Sequence, residues 1–140
     1  MPANTVPIFS KAADIQWIGY ITAANTTADL TSGTSYLAFT ADATNGGWLK
    51  KIRFMPTPAG NTTATACRVW INNGSTTGTA ANNSLYDNIT LPAITASGVA
   101  AVSAYEVPFI DPLPAGYRVY ITIHTASANG WQATAIGGKY

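Results

Sequence analysis

The chain has 140 residues, of which 47% are hydrophobic and only 9% charged, with a formal net charge of +1. That length suits one domain able to bury its own core. Seven basic against six acidic side chains give no electrostatic drive toward nucleic acid, membrane headgroups or a strongly charged substrate. With a charged share so far below the usual figure of about 25%, hydration falls to Thr, Asn and Ser, and a partner is met through shape and apolar contact.

Residues 1–14 hold Pro2, Pro7, Asn4 and Thr5 around one apolar pair, Ile8-Phe9, too little to anchor a core. They are read as an extended N-terminal arm, and residues 15–140 as a β-sandwich domain. The arm is either a frayed terminus or a strap whose Ile8 and Phe9 dock on a neighbouring subunit. No basic segment followed by an apolar run opens the chain, and no run approaches the roughly 18 apolar residues of a membrane helix. A protein made and used without secretion is expected.

From Asp14 an alternation begins in which Ile15, Trp17, Gly19 and Ile21 oppose Gln16, Ile18, Tyr20 and Thr22. Apolar residues on both sides predict a strand covered on both faces. A second strand is predicted from Ser35 to Ala41, with Leu37 and Phe39 on one face. After it, Asp42 to Gly47 reverses the chain, since Asn45-Gly46 accepts positive φ. In the next strand Trp48, Ile52 and Phe54 share a register against Leu49, Lys51, Arg53 and Met55. Pro56 and Pro58 end it. Thr65, Cys67, Val69 and Ile71 then alternate with Ala66, Arg68 and Trp70, and Leu85, Asp87, Ile89 and Leu91 with Tyr86, Asn88 and Thr90.

Residues 93–102 lack a period and fit a loop, an edge strand or one helical turn. Tyr105, Val107 and Phe109 mark another strand. The clearest one follows: Tyr117, Val119, Ile121 and Ile123 on one side, Arg118, Tyr120, Thr122 and His124 on the other, a period of two that no helix uses. Ala128-Asn129-Gly130 supplies turn chemistry, so a C-terminal hairpin with a strand from Trp131 is predicted. Eight short strands without a helix-length period of 3.6 give an all-β chain of two antiparallel sheets, with jelly-roll order expected ahead of an up-and-down barrel or an immunoglobulin-like sandwich.

Catalytic constellations are missing. Cys67 and His124 are single, so neither a disulfide nor a cluster of several imidazoles forms within one chain; Cys67 reads as core filler and His124 as a half-exposed sheet residue. Asp14, Asp29, Asp42, Asp87, Glu106 and Asp111 show no calcium-loop or local acid-pair spacing, although a glycosidase pair can assemble from distant strands. Neither phosphate-binding glycine motif nor hydrolase signature occurs. No enzyme activity, cofactor or metal is therefore expected. Lys50, Lys51 and Arg53, with Arg68 from the next strand, form one basic cluster near Trp48 and Trp70. Cationic and aromatic groups on one sheet could stack bases or sugars, although such a run is more often a solvated or lysine-guarded strand face.

The segments Ile71-Asn72-Asn73-Gly74-Ser75, Ala81-Asn82-Asn83-Ser84-Leu85-Tyr86, Leu113-Pro114-Ala115-Gly116-Tyr117 and Gly130-Trp131-Gln132-Ala133-Thr134-Ala135-Ile136-Gly137-Gly138 resemble, together, a group of small structural proteins of tailed-bacteriophage virions. The resemblance spans roughly Ile15 to Tyr140 and rests on turn and core residues. Some small sandwiches of this kind are capsid decoration, or cement, proteins. The resemblance implies a jelly-roll sandwich that forms a homotrimer on the capsid surface, is assembled in the host cytoplasm and clamps copies of the major capsid protein, with no part for nucleic acid or membrane. Ile8, Phe9, Lys11, Trp48, Arg68 and Trp70 are the candidate partner contacts. The competing expectation is a tail-fibre or receptor-binding module that holds carbohydrate on exposed aromatics.

Overall fold

The computed structural model describes residues 11–109 and 112–140. Among them, β1 (Ala12–Ile21), β3 (Gly47–Pro56), β6 (Tyr105–Pro108), β7 (Pro112–Leu113) and β9 (Trp131–Lys139) make a five-stranded antiparallel sheet in the order β1-β9-β3-β6, with β7 also on β3. A four-stranded antiparallel sheet runs β2 (Tyr36–Thr40), β8 (Arg118–Ile123), β4 (Thr65–Asn72), β5 (Asn83–Leu91). The all-β, two-sheet architecture is the expected one.

β6 lies along Lys51–Phe54 of β3 and β7 along Gly47–Trp48, so the two act as one interrupted strand. Counted so, first pairs with last, second with second-to-last, third with sixth and fourth with fifth. This nesting is the winding of a jelly roll. Residues 12–14, read above as arm, pair with Gly137–Lys139 in β1.

The inward registers of both sheets meet in one core of Phe39, Leu49, Ile52, Phe54, Val69, Val107, Val119, Ile121, Ile123 and Trp131. On one open side, the Gln16 side chain of β1 donates from Nε2 to Thr40 O and accepts the Thr40 N–H through Oε1, each at 2.9 Å. A side-chain amide thus stands where a neighbouring strand would pair with β2. On the other side, Tyr86 of β5 stacks on Phe109 at a ring separation of 4.2 Å.

Several sequence expectations are corrected. The C-terminal hairpin does not exist: β8 and β9 lie in different sheets, and residues 124–130 cross the roughly 10 Å gap between them. That crossing is tied to the loop after β1, with the Ser127 N–H donating to Thr22 O. The Asp42–Gly47 turn likewise carries the chain from sheet to sheet; its Gly46 does take positive φ, at 82°.

Registers shift where β-bulges insert a residue. In β3 the shift between Leu49 and Lys51 puts Leu49 in the core with Ile52 and Phe54 and leaves Trp48 on the outer face. In β5 a shift at Tyr86 turns Leu85 outward, and in β2 a shift between Leu37 and Phe39, expected on one face, leaves Leu37 outward and Phe39 in the core. β1 is covered on one face only, because a two-layer sandwich buries just the inner face of each sheet: Ile18 and Ile21 are buried, while Ile15, Trp17 and Tyr20 are exposed.

Candidate functional site

The basic and aromatic residues expected on a single sheet are divided between two. Trp48, Lys50, Lys51 and Arg53 belong to β3, and Arg68 and Trp70 to β4 in the other sheet. The 57–64 connection carries the chain across the sandwich, so no common cationic and aromatic surface forms. Lys11 is exposed just before β1, its backbone N–H donating to Lys139 O at 2.6 Å. Ile8 and Phe9 lie outside the described residues.

On the outer face of the five-stranded sheet one carboxylate serves two cations. Lys51 Nζ lies 2.8 Å from Glu106 Oε1, and Arg53 Nε lies 4.0 Å from the same oxygen. The hydrogen bond from Lys51, with the surrounding positive charge, holds the Glu106 carboxyl below its ordinary pKa. Half-buried Trp48 sits across from Gly138 and Pro112.

The outer face of the four-stranded sheet is different in kind. Leu37, Tyr120, Trp70 and Leu85 stand directly opposite one another in register, one from each strand. At about 4.8 Å per strand this apolar row runs roughly 14 Å across the whole sheet. Trp70 is only 7% exposed and donates through Nε1 to Thr122 Oγ1 at 3.1 Å, so the indole lies flat against the sheet. The ends of the row stay open, Leu37 at 46% and Leu85 at 49% exposure.

Cations flank this row. Arg68 sits between Thr122 and Asn88, and Arg118 between Thr40 and Asn72. Asp87 is paired with Val69, on the inward register. Among the described residues neither arginine has a carboxylate within ion-pair distance, and Arg68 Nη1 is buried without a hydrogen-bond partner.

Elsewhere the chemistry is sparse. A cleft of about 420 Å³ opens between the end of β3 and the 92–104 connection, lined by Met55, Pro56, Ile94, Ala100, Val102 and Gln132 among others. Its walls carry no ionisable group and fit an apolar guest. Among the described residues no three His, Cys, Asp or Glu side chains gather where a metal could bind, and no helix is long and apolar enough to cross a membrane.

The described carboxylates serve the chain itself. Asp29 accepts from Thr31 Oγ1 and the Thr31 N–H, and Asp42 from the N–H groups of Asn45 and Thr44. These bonds lower both pKa values, the reverse of the elevation a general acid needs. His124 is exposed just past the end of β8.

Sequence reasoning found Trp70 but missed the row it belongs to, and found Arg68 but not its place beside that row. Leu37, Tyr120 and Leu85 could be joined to Trp70 only by knowing which strands are neighbours. Comparison with family models, with curated proteins and with solved structures finds no match for this chain.

Proposed function

We propose that this chain is a structural protein of a tailed-bacteriophage virion, a capsid decoration or cement protein that binds the assembled lattice of the major capsid protein as a homotrimer on the shell surface. The segments quoted above support this reading through their resemblance to such proteins. The observation that carries it furthest is the exposure of Ile15, Trp17 and Tyr20 along the edge strand β1, with Trp17 at 72%.

An open apolar edge is an aggregation hazard that soluble monomers normally blunt with charge, proline or cover. Contact with further subunits removes the hazard by burying the edge. Binding that favours the assembled lattice over free capsid subunits would stabilise the shell by mass action, with no bond made or broken.

Sedimentation velocity tests the first half. The wild-type protein is expected to run as a trimer at micromolar concentration, and Trp17→Asp to shift it toward monomer while keeping the circular dichroism spectrum of the folded sandwich. A wild-type monomer would count against the reading. Electron microscopy of the virion tests the second half, since density for this chain on the head is required.

The same exposed indole favours one alternative, a tail or receptor-binding module that stacks Trp17 on a sugar ring, because an aromatic face offers apolar contact to a hexose. Glycan binding abolished by Trp17→Ala, with density at the tail, would select that alternative.

A further inference from the structure

We infer that the outer face of the four-stranded sheet is the surface that meets the shell, and that the capsid surface it covers presents carboxylates. The inference rests on the decoration reading and adds to it the face used and the chemistry of its partner.

The two outer faces of the sandwich differ in what they leave unsatisfied. On the five-stranded sheet Lys51 and Arg53 already share Glu106, and an acidic partner would have to compete with that carboxylate for them, which leaves exposed Lys50 as the one cation of β3 outside an ion pair among the described residues. On the four-stranded sheet Arg68 and Arg118 have no acidic neighbour on the outward registers of β2, β8, β4 and β5. Arg68 Nη1 is buried without an acceptor, so no group of the described chain offsets the charge of this half-buried guanidinium, and a carboxylate docking on its open side would do so.

Between the arginines runs the Leu37, Tyr120, Trp70, Leu85 row. Trp, Tyr and Arg are the residue types enriched where interface energy concentrates. Trp70 is fixed in place by its bond to Thr122, so little side-chain entropy remains to be lost on docking. Leu37 and Leu85, open at the two ends, would bury their apolar surface against the partner.

Shells of the virus, purified without this protein, are the probe. Wild-type protein is expected to bind them with an affinity that falls as salt is raised. Arg68→Glu and the double variant Leu37→Asp/Leu85→Asp are each expected to weaken binding by about tenfold or more. Arg53→Glu makes the same charge change on the opposite face and is expected to bind as wild type does. Melting temperatures identify any variant that has lost its fold, and Arg68→Lys, which keeps the charge but not the planar fork, should fall between wild type and Arg68→Glu.

If wild type binds and the Arg68 and leucine variants bind equally well, or if Arg53→Glu alone fails, this face is wrong and the decoration reading stands. If Leu37→Asp/Leu85→Asp turns a wild-type trimer into monomers, the face is a subunit contact and the inference is overturned. If wild type does not bind the shells at all, the decoration reading itself fails and takes this inference with it.

Discussion

Single side chains in this protein are tuned for holding structure. Cys67 is fully buried, and burial, with Asp87 adding a smaller push, raises its thiol to about 12. At pH 8 it is therefore protonated and sealed. A thiol reagent should leave the native protein unlabelled over times in which a free cysteine reacts fully, and label one site per chain in denaturant; rapid native labelling would show that the core opens locally. Asp42 works in the opposite direction, since its bonds to the Asn45 and Thr44 N–H groups hold its carboxyl below the ordinary value. A lowered folded pKa means that the unfolded chain binds the proton more readily. The stabilisation is thus complete above the unfolded value of about 4 and is lost as pH falls through the folded one. Asp42→Asn keeps an acceptor but cannot titrate. Urea midpoints measured from pH 6 down to 3 should slope less steeply for the variant than for wild type.

At the scale of strands, the pairing of β3 with β9 depends on one missing side chain. A Cβ on Gly137 would lie 2.0 Å from Trp48 O and 3.0 Å from Leu49 Cα, against the strand that carries the bulge between Leu49 and Lys51. The obstacle is backbone, which cannot swing aside. Gly137→Ala is expected to cost about 3 kcal/mol, read as a drop in unfolding free energy, whereas Gly98→Ala, where a Cβ meets nothing within 4 Å, should be close to neutral. The same bulge marks the limit of what the sequence could reveal. Alternation in Val119, Ile121 and Ile123 was legible because β8 is regular from end to end. Alternation alone places Trp48, Leu85 and Leu37 on the wrong face, because a bulge is fixed by the partner strand and leaves no mark in one strand's own residues. Period two says which residues share a face and nothing about which sheet that face belongs to. In the sequence the Ala128-Asn129-Gly130 turn therefore reads as a hairpin although it delivers β9 to the opposite sheet, and Arg68 reads as Lys51's neighbour although the core separates them.

Across the whole molecule, the nested winding makes nearly every strand pair a distant one. β1 is joined to β9 at the far end of the chain, β2 to β8, and β3 to β6, β7 and β9; only β4 and β5 pair with a direct neighbour in the same sheet. Closing long loops must come before those contacts can repay the entropy, which slows folding. Refolding from denaturant is expected to take milliseconds to seconds, as for other sandwiches dominated by distant pairings. The β4 and β5 pair is the cheapest nucleus, since a connection of ten residues, 73–82, brings it together and its Asn72 and Asn83 side chains already bond at 2.8 Å. Two truncations compare the ends of the process. Val69→Ala removes core atoms from β4, and Ile18→Val removes a methylene from β1, the edge strand whose partner arrives last in the chain. Both should lower equilibrium stability, Val69→Ala by about 2 kcal/mol and Ile18→Val by about 1 kcal/mol. Stopped-flow measurement should find the loss from Val69→Ala mainly in slower folding and that from Ile18→Val mainly in faster unfolding. The reverse partition would mean that the sheet holding both chain ends forms first, so that the long loops close before the local pair does.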